Sequence, residues 1–107
     1  MLCNCLNGSL TVIYPYMERD ERKIDGLVTQ VQKGNIEAFG ELYDIFLPEI
    51  YRFVYYKVTH KELAEDLTED AFFRAWKNID KYKKTTVPFS SWLYRLTLNT
   101  IIDYLRR

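Results

Sequence analysis

Between Ile36 and Val58 the large apolar side chains return every three or four residues, at Phe39, Leu42, Tyr43, Phe46, Ile50, Phe53, Val54 and Val58. That period places them on one face of an α-helix and is incompatible with a strand, whose faces alternate every second residue. A helix of this length must bury its stripe against other elements, so the stretch predicts a helical bundle. Pro48 falls inside it. The period resumes on both sides, which predicts a bend in a continuous helix, not a break.

The rest of the chain agrees with a helical domain. With 107 residues, 48% hydrophobic and 16% aromatic, it can bury one small core, and only 4 glycines and 3 prolines interrupt it. A short first helix is expected over Asp25 to Lys33, stopped by Gly34, with Asn35 capping the second. Thr59 and Glu62 have the spacing of a capping box for a third helix over about Lys61 to Lys81. "KYKKTTVPFSS" then reads as a surface loop, and Ser90 as the cap of a fourth helix from about Ser91 to the C-terminus. The expected fold class is all-α, a compact bundle of about four helices over residues 25–107.

Residues 1–24 have no helical period and read as a poorly ordered extension, with Met17 a candidate start; a short β-hairpin is the rival. Cys3 and Cys5 stand too close for an ordinary structural disulfide and lack the second ligand pair of a zinc site. No apolar run is long enough to span a bilayer and no basic segment precedes an apolar one, so a cytoplasmic location without membrane insertion is expected. No nucleophile is paired with a base and the sole histidine, His60, sits at a helix mouth. A binding protein without catalytic activity, metal or cofactor is expected.

Charge is unevenly placed. The net charge is zero, yet residues 1–80 carry 9 Lys+Arg against 14 Asp+Glu while residues 81–107 carry 6 against 1. Chance scatter of solvated side chains is one reading; two partners of opposite charge is the other, with nucleic acid at the basic end.

On a helical wheel Ala64, Leu67, Ala71, Phe72, Ala75, Trp76 and Ile79 take the inward arc of the third helix, which predicts Trp76 buried against the second and fourth helices. Phe73 points the other way, in one stripe with Asp66, Glu69, Asp70 and Lys77. It is either a lone exposed aromatic or an anchor that fills a partner's pocket while the acids select a basic partner. In the fourth helix Tyr94, Leu98, Ile101 and Leu105 form the expected buried stripe, with Arg95, Asn99, Asp103 and Arg106, together with Trp92 and Leu96, on the other side, a pattern suited to phosphates and base edges or simply to solvent. Tyr82, flanked by Lys81, Lys83 and Lys84, is either a ring that stacks an unpaired base or a plug at the end of the bundle.

"AEDLTEDAFFRAWKNIDKY" followed after a short loop by "FSSWLYRLTLNTIIDYLRR" resembles domain two of the sigma-70 family of bacterial transcription initiation factors, in its extracytoplasmic-function group. "QKGNIEAFGELYDIFLPEIYRFVYY" is similar to the leading helices of that domain, and the likeness runs from about Asp25 to Arg107. The resemblance implies that Asp66, Glu69, Asp70 and Phe73, with Lys77 beside them, dock on the clamp helices of the RNA polymerase largest subunit. It implies further that Asn78, Tyr82, Lys83, Lys84, Thr85, Thr86 and Asn99 recognise the minus-ten promoter element and hold a flipped base of the non-template strand, with Arg95 and Arg106 on phosphates. An anti-sigma factor is a further implied partner. Family members usually carry glutamine where this chain has Glu69, so a polymerase contact tuned or weakened by an extra negative charge is expected. A complete factor continues into a domain four, so the expectation is a fragment cut at the domain boundary, with a naturally shortened protein as the other reading. The alternative is a helical module that binds a protein regulator and never meets DNA.

Overall fold

The computed structural model describes residues 20–107, and among them it contains four α-helices and no strand. They are α1 (Glu21–Gln32), α2 (Ile36–Val58), α3 (Lys61–Asn78) and α4 (Phe89–Leu105), with a 3₁₀ turn at Ile79–Lys81 after α3. The fold class is all-α, as expected. The expectations for Cys3, Cys5, Met17 and the rest of residues 1–19 lie outside the described residues.

α1 starts four residues earlier than the apolar pattern suggested. Asp20 caps it, its Oδ1 accepting from the backbone N–H of Arg22 at 3.0 Å and of Lys23 at 3.2 Å. Residues 21–24 are therefore helical, and Ile24 is buried with Leu27, Val28 and Val31. Gly34 stops the helix with φ at 105°, a conformation that costs a Cβ-bearing residue dearly, and the Asn35 side chain accepts from the Glu37 N–H at 3.1 Å to open α2.

α2 runs through Pro48 without a break and supplies Leu42, Phe46, Ile50 and Val54 to the core. Its end corrects the expected capping box. Thr59 adopts the left-handed conformation (φ 51°) to close α2, and its hydroxyl donates to the Val58 carbonyl, so it is not available to α3. The cap passes to His60, whose Nδ1 accepts from the Leu63 N–H at 3.1 Å.

α3 turns Ala64, Ala71 and Ala75 fully inward, and these small side chains let it lie close against its neighbours. Trp76 lies about 100° round the helix from Ala75 and so on the flank. It is 38% exposed, with its ring edge-on to Phe39 at 5.2 Å, which corrects the expectation of a buried tryptophan. α4 begins at Phe89 behind Pro88 with no side-chain cap; Ser90 is already in the first turn.

The core face of α4 also differs from the expected one. Phe89, Leu93, Thr97, Thr100 and Ile101 are buried, while Leu98 and Leu105 are exposed and Tyr94 is half-buried, its hydroxyl donating to Glu49 Oε1 at 2.8 Å. The two threonines can face the core because each donates to the carbonyl one turn back, Thr97 to Leu93 at 2.8 Å and Thr100 to Leu96 at 2.9 Å. α4 packs along α2 in the same direction: Phe89 meets Phe46 at 5.7 Å between ring centroids and Tyr94 meets Phe53 at 5.1 Å.

Candidate functional site

Two surfaces carry the residues singled out in the sequence. On the outward face of α3, Phe73 is 58% exposed, with the Lys77 ammonium 5.4 Å from its ring centroid. Asp66 and Glu69 are exposed beside it and have no ion-pair partner among the described residues. Asp70 differs, because Arg74 reaches it at 3.5 Å and also meets Asp103 of α4 at 2.9 Å. Arg74 therefore clasps α3 to α4 and offsets part of the negative charge of the stripe. No local spacing marks this bridge, since Asp103 lies 29 residues from Arg74.

The second surface is the loop between α3 and α4 with the outward side of α4. Lys83, Lys84, Thr85 and Thr86 are exposed, and Arg95, Asn99 and Arg106 lie exposed along α4, four and seven residues apart on one face. Asn78 is half-buried and donates to the Arg74 carbonyl at 2.9 Å, so its amide is partly engaged within its own helix.

Tyr82 is a core residue. It is 4% exposed, its ring packs against Phe89 and Trp92 at 5.5 and 5.4 Å, and its hydroxyl donates to the Val87 carbonyl at 2.6 Å. A ring so covered has no face to offer a base; of its two sequence readings, the plug is the one this geometry fits. Burial, and secondarily the Asp25 and Glu21 carboxylates, push its phenol above the usual tyrosine range.

α1 supports the loop in a way that local patterning cannot reveal. The Gln32 amide donates to the carbonyls of Ile79 at 2.8 Å and of Tyr82 at 2.9 Å. Lys84 bonds to the Thr29 hydroxyl, and Thr86 closes a turn on the Lys83 carbonyl, its N–H at 3.1 Å and its hydroxyl at 2.7 Å. Between α1 and the loop lies a cleft of about 560 Å³ lined by Glu21, Asp25, Lys84, Thr86 and Ser90 with an edge of Tyr82. Among the described residues no cluster of side chains could hold a metal ion, and no helix is long and apolar enough to cross a membrane.

The family described as Sigma-70 region 2 matches residues 42–107. The chain is 38% identical over 87 residues to the ECF RNA polymerase sigma factor SigW of Bacillus subtilis, covering 81% of this chain and 46% of that protein. It is 35% identical over 92 residues to the ECF RNA polymerase sigma factor BldN of Streptomyces coelicolor, covering 86% of this chain and 35% of the relative. SigM of Bacillus subtilis, also an ECF RNA polymerase sigma factor, is 36% identical over 70 residues, 65% of this chain and 42% of that one. The chain thus spans less than half the length of these relatives. Since the region 2 match extends over more than half of its residues and takes in α3, the loop and α4, the chain belongs to the sigma-70 family through its region 2.

Proposed function

We propose that this chain is the part of a bacterial transcription initiation factor that binds core RNA polymerase and recognises and helps open the minus-ten promoter element. The observation that carries the reading is the pairing, on one small bundle, of an exposed phenylalanine among acids on α3 with an exposed cationic loop and an Arg–Asn–Arg face on α4. Asp66, Glu69, Asp70 and Phe73, with Lys77, meet the clamp helices of the largest subunit. Lys83, Lys84, Thr85, Thr86, Arg95 and Arg106 meet the non-template strand, and Asn99 and Asn78 stand where base edges would come. Tyr82 serves as the footing of the loop. The cytoplasm is where such a factor works, and no catalytic step or cofactor belongs to this role.

A protein regulator of the anti-sigma kind is a second reading, favoured by Leu98, Ile102 and Leu105, which lie exposed on α4 next to Arg95 and Asn99. Fluorescence anisotropy separates the two. Short single strands of non-template type should bind better than duplex, because unstacking a base costs a few kcal/mol that a small interface does not readily offset. Replacing Lys83 and Lys84 together should weaken binding to every strand alike and flatten its salt dependence, whereas Asn99→Ala should reduce discrimination among strands more than affinity. Absence of salt-dependent binding to any strand would leave the protein-only module.

A further inference from the structure

Three threonines are buried in this bundle, Thr68, Thr97 and Thr100. Thr97 and Thr100 return their hydroxyls to their own helix. Thr68, 2% exposed on α3, does not: its Oγ1 has no hydrogen-bond partner. A buried hydroxyl without a partner is disfavoured, and in a natural domain such a group asks for an explanation.

Its position suggests one. Thr68 lies at the wall of a cleft of about 570 Å³ between α2 and α3, whose α2 side is Leu47, Pro48 and the rings of Tyr43 and Tyr51. Glu65 and Glu69 stand on the α3 rim. The lining is thus apolar and aromatic below and rich in acceptors and negative charge above. The one cation at the rim is Lys61, placed one turn before Glu65.

The geometry points to an arginine side chain of the protein that docks on the α3 stripe as the occupant of this cleft. Its aliphatic stem matches Leu47 and Pro48, and its planar guanidinium can lie against a tyrosine ring while its five N–H groups face Thr68 Oγ1 and the two glutamates. A lysine ammonium is a compact, strongly hydrated charge and fits such a mixed lining less well. Glu69 belongs both to this rim and to the stripe with Phe73, so a partner seated on Phe73 reaches the cleft without a second interface. The Thr68 oxygen is closed to water in the free chain, so the cleft walls must part slightly to admit the donor. The identity of the partner as core RNA polymerase rests on the functional reading given above; the guanidinium preference of the cleft does not.

The test has two arms. In the first, amide resonances of the ¹⁵N-labelled chain are followed during titration with N-acetyl-arginine methylamide and with its lysine counterpart. Arginine should shift residues around Leu47, Tyr51 and Thr68 more than lysine does. Thr68→Val should abolish that difference while raising the melting temperature, and Lys61→Gln should tighten arginine binding by removing a like charge. In the second arm, Thr68→Val should weaken binding to core polymerase on the order of tenfold, the size expected for a hydrogen bond to a charged group. Equal response to the two amino acids, or a lower melting temperature in Thr68→Val, would overturn the assignment. Arginine selectivity with unchanged polymerase affinity in Thr68→Val would refute polymerase as the source of the arginine. Failure of the parent chain to bind polymerase at all would instead remove the functional reading, and the first arm would still decide the chemistry of the cleft.

Discussion

Phe72 and Phe73 are neighbours on one helix with opposite fates, and truncating each in turn separates core from contact. Phe72 is 5% exposed and meets Tyr43 edge-on at 4.7 Å. Phe72→Ala should therefore cost the full amount for a core phenylalanine, about 3–5 kcal/mol. Phe73 is 58% exposed, so about two fifths of it is covered. Scaling the core figure by that fraction gives roughly 1–2 kcal/mol, and the better helix propensity of alanine returns about 0.5 kcal/mol. A loss near 1 kcal/mol remains, worth about 4–8 °C of melting temperature in a domain of this size. Binding to core polymerase should behave in the reverse order. As an interface anchor, Phe73 should contribute about 2 kcal/mol or more, so the alanine variant should bind roughly thirtyfold more weakly under conditions where it is fully folded. Urea unfolding of both variants, followed by anisotropy titration of labelled chain with core enzyme, reads the two quantities separately. A Phe73→Ala loss of stability as large as that of Phe72→Ala would refute the placement of the ring; unchanged polymerase affinity would refute its role.

Glu69→Gln should weaken the polymerase complex, most visibly at low salt, because the cleft proposal gives that carboxylate a basic partner of its own; an unchanged or tighter complex would make its charge a mere addition to the stripe and would count against the cleft proposal. Tyr82→Phe should cost about 0.5–1.5 kcal/mol by removing the bond to Val87 while leaving single-strand binding close to that of the parent, since the ring itself stays in place. Because the Tyr82 phenol is raised above its usual value of 10.0, folding favours its protonated form. Its contribution is complete below pH 10 and is lost as pH rises above it toward and through the folded-state value, so above pH 10 urea stability should fall more steeply for the parent than for Tyr82→Phe. Parallel pH profiles would refute that assignment.

What the sequence revealed was what depends on period and local stops. α2 spans Ile36–Val58 as its apolar spacing indicated, and Gly34 and Asn35 divide α1 from it as their chemistry requires. The outward direction of Phe73 followed from the same wheel. The face of α4 did not, because Thr97 and Thr100 count as polar in any pattern yet satisfy themselves within the helix and turn inward. Their burial rotates the helix and leaves Leu98 and Leu105 outside. The cap of α3 moved by one residue because Thr59 was needed to end the preceding helix. Tyr82 sits among lysines in sequence but among rings in space. The α1 side of the loop cleft and the Arg74 bridge join residues far apart in the chain, and no local spacing announces them.

The single amide of Gln32 sets a limit on where this unit can be cut and what can stand at its first helix. Both protons of Nε2 are committed, one to each of two carbonyls from a turn some fifty residues away. A glutamate there has the same outline and no proton to give, and would set a lone-pair-bearing oxygen against the two carbonyls it ought to join. The region 2 match begins at residue 42, beyond α1 altogether. A chain trimmed to that match would keep the outward acids of α3 and lose the brace that fixes the opposite end, so the docking and reading halves of the bundle would no longer be held in one mutual alignment.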